Sequence, residues 1–153
     1  AVIEECLVLV EHQLGLRNIK VIRDFSQGLP KVKIHRDQMR QVFINILVNA
    51  VEAMGAGGTI TISLRFLAAE DNTTSVEITF TDTGCGIAEE NILKVFDPFF
   101  STKKKEGSAG LGLAITKEIV EKHKGTIAIK SKAQEATSVI IRLPVSVANE
   151  SEA

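Results

Sequence analysis

An inward-facing carboxylate followed by two glycines is the first feature of this sequence that could do chemistry. In "FTDTGCGI", residues 80–87, Asp82 ends a run in which apolar and polar residues alternate, so a strand here would point its carboxylate to the apolar face. A buried carboxylate needs hydrogen-bond donors. The exocyclic amine of an adenine is such a donor, and Gly84 and Gly86 would let a flat base approach the backbone. The alternative is a carboxylate that caps its own Asp-Thr-Gly turn.

Two asparagines lie one helical turn apart in "DQMRQVFINILVNAVEAM", which begins at Asp37. With Gln41 and Glu52 they form a polar stripe, the asparagine stripe, along one edge of the predicted helix. Asn45 and Asn49 can direct two carbonyl oxygens to one point, which suits a hard cation such as Mg²⁺ that also keeps waters and phosphate oxygens. The alternative is an ordinary solvated helix edge, although asparagine is a poor residue inside a helix.

A second glycine pair lies where a loop becomes a helix, in "GSAGLGLAI" at residues 107–115. The exposed backbone amides and the positive end of the helix dipole make such a junction an anion site. The alternative is a flexible loop that precedes a helix. The P-loop motif does not occur, since Leu113 occupies the position of its lysine, and the dinucleotide-binding glycine pattern is also absent.

The segment "FDPFFSTK", residues 96–103, combines aromatic, hydroxyl and basic residues. Core packing is the simpler interpretation for Phe96. The following aromatic pair, beside Thr102 and Lys103, fits a lid that anchors by its aromatics and brings positive charge toward phosphates.

These residues depend on a regular succession of helices and strands. Apolar periodicity predicts helices over 2–14, 37–54 and 111–123, the last capped by Gly125. Alternating patterns predict strands over 18–25, 59–66, 75–82, 126–131 and 137–144, and short elements are expected at 31–34 and 89–96. Helices interleaved with hairpins predict one α/β domain, a two-layer sandwich in which helices cover one face of a mixed sheet.

Composition excludes several function classes. The 153 residues are 44% apolar and carry a net charge of −1, which supports a real core and gives no reason to expect nucleic acid or a membrane surface as partner. Cys6 and Cys85 lie far apart and form no metal-ligand spacing, and no run is long and apolar enough to cross a bilayer. A chain that opens on Ala1 within a helical pattern is expected to be part of something longer.

Four segments, in this order, resemble the N, G1, F and G2 boxes of the catalytic and ATP-binding domain of sensor histidine kinases: "NILVNAVEAM", "DTGCGI", "FDPFFSTK" and "GSAGLGLAI". The resemblance runs from about Ala1 to Pro144. It implies the Bergerat ATP-binding fold of the GHKL superfamily, with a mostly antiparallel sheet. It also implies an ATP lid at about residues 88–109 and leaves 145–153 as a flexible tail.

The resemblance implies roles for individual residues. Asp82 accepts a hydrogen bond from the adenine amine, and Asn49 with Asn45 holds Mg²⁺ against the phosphates. A water-activating glutamate replaces Asn45 in the related hydrolysing ATPases, so its absence favours a kinase. The remaining ATP contacts implied are Gly84, Gly86, Ile87, Phe96, Thr102 and Leu113, with backbone amides of Gly110, Leu111 and Gly112 at the phosphates and Phe96 and Phe99 securing the lid.

Two departures from the family pattern stand out. Many members carry a lysine and then an aromatic residue where this chain has Glu52 and Ala53, so Lys103 is the expected replacement at the phosphates and joins the asparagines as a catalytic residue. No histidine matches the phosphoacceptor motif. The expected acceptor therefore lies on a separate dimerisation domain of the same parent, and His12, His35 and His123 are expected to be surface or capping residues.

The resulting hypothesis is a cytoplasmic ATP-binding domain that transfers the γ-phosphoryl group to that histidine, with a response regulator receiver domain as indirect partner. On its own the domain is expected to bind Mg·ATP but not to complete phosphotransfer. Two alternatives stay open: a serine-protein kinase on the same fold, and a nucleotide-binding module without catalysis.

Overall fold

The computed structural model describes residues 2–16, 18–27, 34–54, 57–68, 74–84, 112–131 and 136–145. The helices of this part are α1 (Val2–Leu16), α2 (Arg36–Met54) and α3 (Gly112–Lys122). Its strands are β1 (Ile19–Phe25), β2 (Gly58–Ala68), β3 (Thr74–Asp82), β4 (Thr126–Ser131) and β5 (Thr137–Pro144). Each predicted helix and each long predicted strand is confirmed within about two residues, while the elements expected at 31–34 and 89–96 lie largely outside the described residues.

The five strands form one mixed sheet in the order β1-β2-β3-β5-β4. Strands β1 and β2 pair in parallel, with α2 between them in the chain, and the other three pairings are antiparallel. A parallel pair needs a long crossover, whereas antiparallel neighbours can be joined by short turns. The predicted mixed, mostly antiparallel sheet is therefore confirmed.

Among the described residues, helices cover one face of the sheet, and the other, open face is partly exposed. On β3, Val76, Ile78, Phe80 and Asp82 are buried, while the residues between them are partly exposed. The buried side chains of β3 belong to one core with those of all three helices, and the rings of Phe43 in α2 and Phe80 in β3 lie 5.7 Å apart. Helices on one face of the sheet explain this alternation, and the two-layer α/β architecture is as predicted.

Helix α1 is attached to α2 by a buried thiol and an ionic cluster. Cys6 is fully buried and its Sγ–H donates to the carbonyl oxygen of Arg40. Burial raises the pKa of this thiol, and the nearby charge of Arg40 acts in the opposite direction. Glu5 pairs with both Arg36 and Arg40. Together these contacts fix α1 against the helix that carries the asparagine stripe.

The end of α3 has the hydrogen-bond pattern of a Schellman cap. Lys124 adopts a left-handed φ of 61° and its N–H donates to the carbonyl of Glu121, while the N–H of Gly125 donates to that of Val120. The predicted cap at Gly125 is confirmed, but the left-handed position belongs to Lys124. A Cβ on Gly125 would lie 2.5 Å from the carbonyl oxygen of Arg142. Glycine is thus required by the close approach of β5, not by its own φ.

Across the described residues, none of the helices is long and apolar enough to cross a membrane.

Candidate functional site

Asp82 is a buried carboxylate at the last position of β3. Its side chain lies on the helix-covered face and the residue is 6% exposed. One oxygen, Oδ1, accepts a hydrogen bond from the backbone N–H of Gly84 at 2.8 Å. The cap that the sequence left open as an alternative is therefore formed. It does not exclude a ligand, because the two oxygens of a carboxylate offer about four lone-pair positions.

Thr137 is the direct neighbour of Asp82 on β5. The two residues are register partners, and Thr137 is also buried, at 7% exposure. Its Oγ1 lies 2.8 Å from the Oγ of Ser131 on β4. Sequence reasoning missed this threonine. The signal was the one that identified Asp82, since Thr137 is a polar residue at the inward position of an alternating strand.

A close approach of three segments supports the turn after β3. The Oγ1 of Thr83 accepts a hydrogen bond from the N–H of Thr59 at 3.1 Å. A Cβ on Gly58 would lie 2.7 Å from the Sδ of Met54 and 2.8 Å from that same Oγ1. Gly58 also has a φ of 138°, which favours glycine. The start of β2 and the end of α2 are thereby held against the residue that follows Asp82.

The asparagine stripe of α2 is a half-buried edge. Gln41 is exposed, whereas Asn45, Asn49 and Glu52 are each partly buried. The Nδ2 of Asn45 donates to the Oγ1 of Thr116 in α3 at 3.4 Å. The stripe therefore lies between solvent and the neighbouring helix, rather than wholly in solvent. Ala53 continues the same helix.

The predicted anion-binding junction coincides with the start of a helix. Gly112 is the first residue of α3, and Leu113 after it is partly buried. The N-terminal end of a helix carries donors without partners inside the helix and a partial positive charge. Because α2 packs against both β3 and α3, the asparagine stripe, the end of β3 and this helix start belong to neighbouring elements.

Several predicted site residues lie outside the described residues, and their roles stay predictions. They are Gly86, Ile87, Phe96, Phe99, Thr102, Lys103, Gly110 and Leu111. The predicted lid at 88–109 and most of the predicted tail at 145–153 lie outside as well.

The three histidines occupy surface or capping positions, as predicted. His12 is exposed on α1. His35 precedes α2, and its Nδ1 accepts from the N–H of Gln38. The Nε2 of His123 accepts from the N–H of His35 at 2.9 Å, and its Nδ1 lies 2.8 Å from the carbonyl oxygen of Ile119. These contacts join the start of α2 to the end of α3.

Comparison with protein families gives one match over most of this fold. The family described as "Histidine kinase-, DNA gyrase B-, and HSP90-like ATPase" matches residues 34–147, which is more than half of the chain. The match takes in α2, all of β2 to β5 and α3.

Two curated relatives are similar along nearly the whole chain. Sporulation kinase E of Bacillus subtilis is 33% identical over 144 residues, which are 94% of this chain and 19% of that protein. Sensor histidine kinase ZraS of Escherichia coli is 34% identical over 145 residues, which are 95% of this chain and 30% of ZraS. The chain thus spans less than a third of the length of these relatives.

Solved structures show the same architecture. The nucleotide-free catalytic domain of histidine kinase ThkA is similar with a TM-score of 0.81 and 32% identity, covering 94% of this chain and 90% of that domain. ThkA in complex with the response regulator protein TrrA is similar with a TM-score of 0.78 and 29% identity, covering 95% of this chain and 40% of that one.

Proposed function

The chain belongs to the histidine kinase-, DNA gyrase B- and HSP90-like ATPase family, and from this membership we propose that it binds Mg·ATP and donates the γ-phosphoryl group to a histidine. The acceptor in this proposal lies on the dimerisation domain of the two-component sensor kinase of which the chain is the catalytic domain. The relatives ZraS and ThkA, which are named histidine kinases, support this choice over a serine-protein kinase on the same fold.

The observation that carries the proposal is the buried carboxylate of Asp82. A charged group at 6% exposure is costly unless hydrogen bonds satisfy it. Gly84 supplies one donor from its backbone, and the exocyclic amine of adenine would supply a second. A guanine ring carries an oxygen acceptor at that position and would face the carboxylate unfavourably. Asp82 would therefore bind the base and select ATP over GTP.

The start of α3 is suited to the phosphate groups. Backbone N–H groups of Gly110, Leu111 and Gly112 are proposed to donate to them, aided by the positive end of the α3 dipole. Phosphoryl transfer needs mainly such positioning and charge stabilisation from the protein. Lys103 is the proposed basic group on the lid, because the two α2 residues proposed to lie beside the nucleotide, Glu52 and Ala53, have no basic side chain.

The donor set on α2 fits a magnesium ion. Asn45 and Asn49 are one turn apart and half-buried, and neutral amide oxygens suit a hard cation that takes its other ligands from water and phosphate. These two residues would hold the ion, which when bound neutralises charge that develops on the phosphates. In the described part of the chain no group of three His, Cys, Asp or Glu residues could hold a metal instead.

His35 and His123 do not fit the acceptor role. His35 caps α2 and His123 closes the end of α3, so both ring nitrogens of His123 and the Nδ1 of His35 are already in hydrogen bonds. In the proposed reaction a nitrogen of the acceptor imidazole forms a bond to the γ-phosphorus as the bond to the β,γ-bridging oxygen breaks, and ADP leaves. By analogy with the ThkA–TrrA complex, a response regulator would receive the phosphoryl group afterwards.

Titration calorimetry with Mg·ATP on this chain tests the nucleotide site. We expect Asp82→Asn to bind about 10- to 150-fold more weakly than the wild type, because a hydrogen bond to a charged group contributes about 1.5–3 kcal/mol. Asp24→Asn is the matched control, since Asp24 is exposed on β1 and pairs with Arg65. GTP should bind weakly to the wild type. Equal affinities for Asp82→Asn and wild type would refute the assignment of Asp82.

Labelled ATP tests the transfer itself. The chain is mixed with the dimerisation domain of its own parent, and we expect acid-labile label on that domain and none when its acceptor histidine is changed to glutamine. Acid-stable label on serine would favour the alternative kinase, and tight Mg·ATP binding without any transfer would favour a non-catalytic module.

A further inference from the structure

Thr116 is a fully buried polar residue in the second turn of α3. Of the described residues, only Asp82, Thr116 and Thr137 are both polar or charged and buried, and Thr116 is 0% exposed. A buried hydroxyl destabilises the fold unless it is hydrogen-bonded, and valine would fill a similar space without that requirement. The hydroxyl therefore calls for a role that depends on hydrogen bonding.

Its hydrogen-bond partner across the helix interface is Asn45. The Nδ2 of Asn45 donates to the Oγ1 of Thr116 at 3.4 Å, although the two residues are 71 positions apart in sequence. A side-chain amide is planar, with its nitrogen and oxygen on opposite sides. Directing Nδ2 toward α3 therefore leaves Oδ1 on the other branch of the amide, turned away from the Thr116 hydroxyl.

The same contact relates two parts of the proposed ATP site. Gly112, the first residue of α3, precedes Thr116 by four positions, which is about one helical turn. A bond from Thr116 to α2 thus also fixes the distance between the start of α3 and the edge that carries Asn45. One hydroxyl thus contributes both to the orientation of the amide and to the contact between the two helices.

We propose that Thr116 is a positioning residue that orients the Asn45 amide for magnesium. This inference rests on the proposed function, since it assumes that Asn45 and Asn49 hold the ion of Mg·ATP. In the proposed role Thr116 touches neither nucleotide nor metal and acts only through Asn45. A threonine inside a helix can also bond the carbonyl of the preceding turn, which would be a purely structural role. The positioning role predicts that replacing Thr116 changes the magnesium-dependent gain in ATP affinity, whereas a purely structural role does not.

The test compares ATP affinity with excess magnesium and with a chelator, for the wild type, Thr116→Val and Thr116→Ser. We expect Thr116→Val to reduce the magnesium-dependent gain in affinity by about three- to tenfold, the equivalent of one hydrogen bond. Affinity for metal-free ATP should stay near that of the wild type, which also shows that the variant is folded. Thr116→Ser, which keeps the hydroxyl, should restore the gain. Thr79→Val on the open sheet face is the matched control.

A second readout is independent of nucleotide. The side-chain amide resonances of Asn45 should shift in Thr116→Val and return toward wild-type positions in Thr116→Ser. If Thr116→Val does not fold, Thr116→Ala serves the same comparison.

The outcomes separate the two proposals. A wild type that binds no Mg·ATP would refute the proposed function and this inference together. A wild type with a clear magnesium-dependent gain that Thr116→Val fully retains would refute only the role of Thr116. Unchanged Asn45 resonances in the valine variant would refute it too.

Discussion

Asp82 of β3 and Thr137 of β5 lie directly opposite each other in the sheet, and both are buried on the face that the helices cover. Directly opposed residues in an antiparallel pair have Cβ atoms about 4.5–5.5 Å apart. A carboxylate and a hydroxyl are therefore presented side by side at one end of the sheet. A ligand that binds the carboxylate would therefore lie next to Thr137, whose hydroxyl also contacts Ser131.

Replacing Thr137 by valine should weaken Mg·ATP binding by about three- to tenfold, because a hydroxyl beside the carboxylate is lost while the branched shape is kept. The measurement is titration calorimetry. Thr81→Val is a close control, since Thr81 bonds Ser138 on the open face as Thr137 bonds Ser131 on the covered face. Similar losses in both variants would show that the effect is general and not specific to the site.

Replacing Gly125 by alanine should destabilise the fold by about 1–3 kcal/mol, because the new Cβ meets backbone rather than a flexible side chain. It would lie 2.5 Å from the carbonyl oxygen of Arg142 and 2.9 Å from Leu143. Gly15→Ala is the control, since a Cβ there meets nothing within 4 Å and alanine favours the helix. The urea midpoint of unfolding should therefore fall for Gly125→Ala and rise for Gly15→Ala. An unchanged midpoint for Gly125→Ala would contradict the close approach.

The thiol of Cys6 should make stability fall at alkaline pH. Burial raises its pKa above the ordinary value of 9.0, so the unfolded chain loses this proton first. The contribution of this thiol to the free energy of unfolding is complete below pH 9 and is lost as pH rises through the folded pKa. The free energy of unfolding then falls by at most about 1.4 kcal/mol per pH unit. Urea unfolding at pH 7.5, 9 and 10.5 should show this extra slope in the wild type and not in Cys6→Ala. Parallel curves would refute it.

Replacing Glu5 by glutamine should cost about 1 kcal/mol, more than the same change at Glu4. Glu5 pairs with two arginines between α1 and α2, whereas the Glu4–Arg23 pair is about half exposed. The Nε of Arg40 is buried without a hydrogen-bond partner in the described part of the chain, and Glu5 lies nearer to the Arg40 guanidinium, at 3.1 Å, than Asp37 does, at 3.8 Å. The measurement is thermal unfolding of Glu5→Gln and Glu4→Gln at low salt and in 1 M NaCl. The difference in lost stability between the two variants should be smaller at high salt. Equal losses at low salt would contradict it.

The fold was largely predictable because local patterns and long-range packing agree. The inward positions of β3 are all apolar until Asp82, and α2 begins within one residue of Asp37. What local patterns could not supply was the strand order. Strand β5 lies between β3 and β4 in the sheet. Its pairing with β3 depends on contacts between segments more than 50 residues apart.

The candidate site was predicted in part. Asp82, Asn45 and Asn49 were identified as polar residues at positions where apolar or helix-favouring residues would be expected. Thr137 and Thr116 were not, because threonine is common in strands and unremarkable near a helix start. Only their burial and their partners, Asp82 across the sheet and Asn45 across the helix interface, indicate a role.

The sequence by itself determined the elements, the inward carboxylate and the family resemblance, since each depends on residue types at short, fixed spacings. Only the tertiary structure decided which distant elements become neighbours: β5 lies beside β3, and α3 lies beside α2. The physical reason is that a hydrophobic pattern specifies which face of an element is buried but not which neighbour covers it. The pairing of Asp82 with Thr137 and the hydrogen bond of Asn45 to Thr116 therefore depend on the assembled core and not on local sequence.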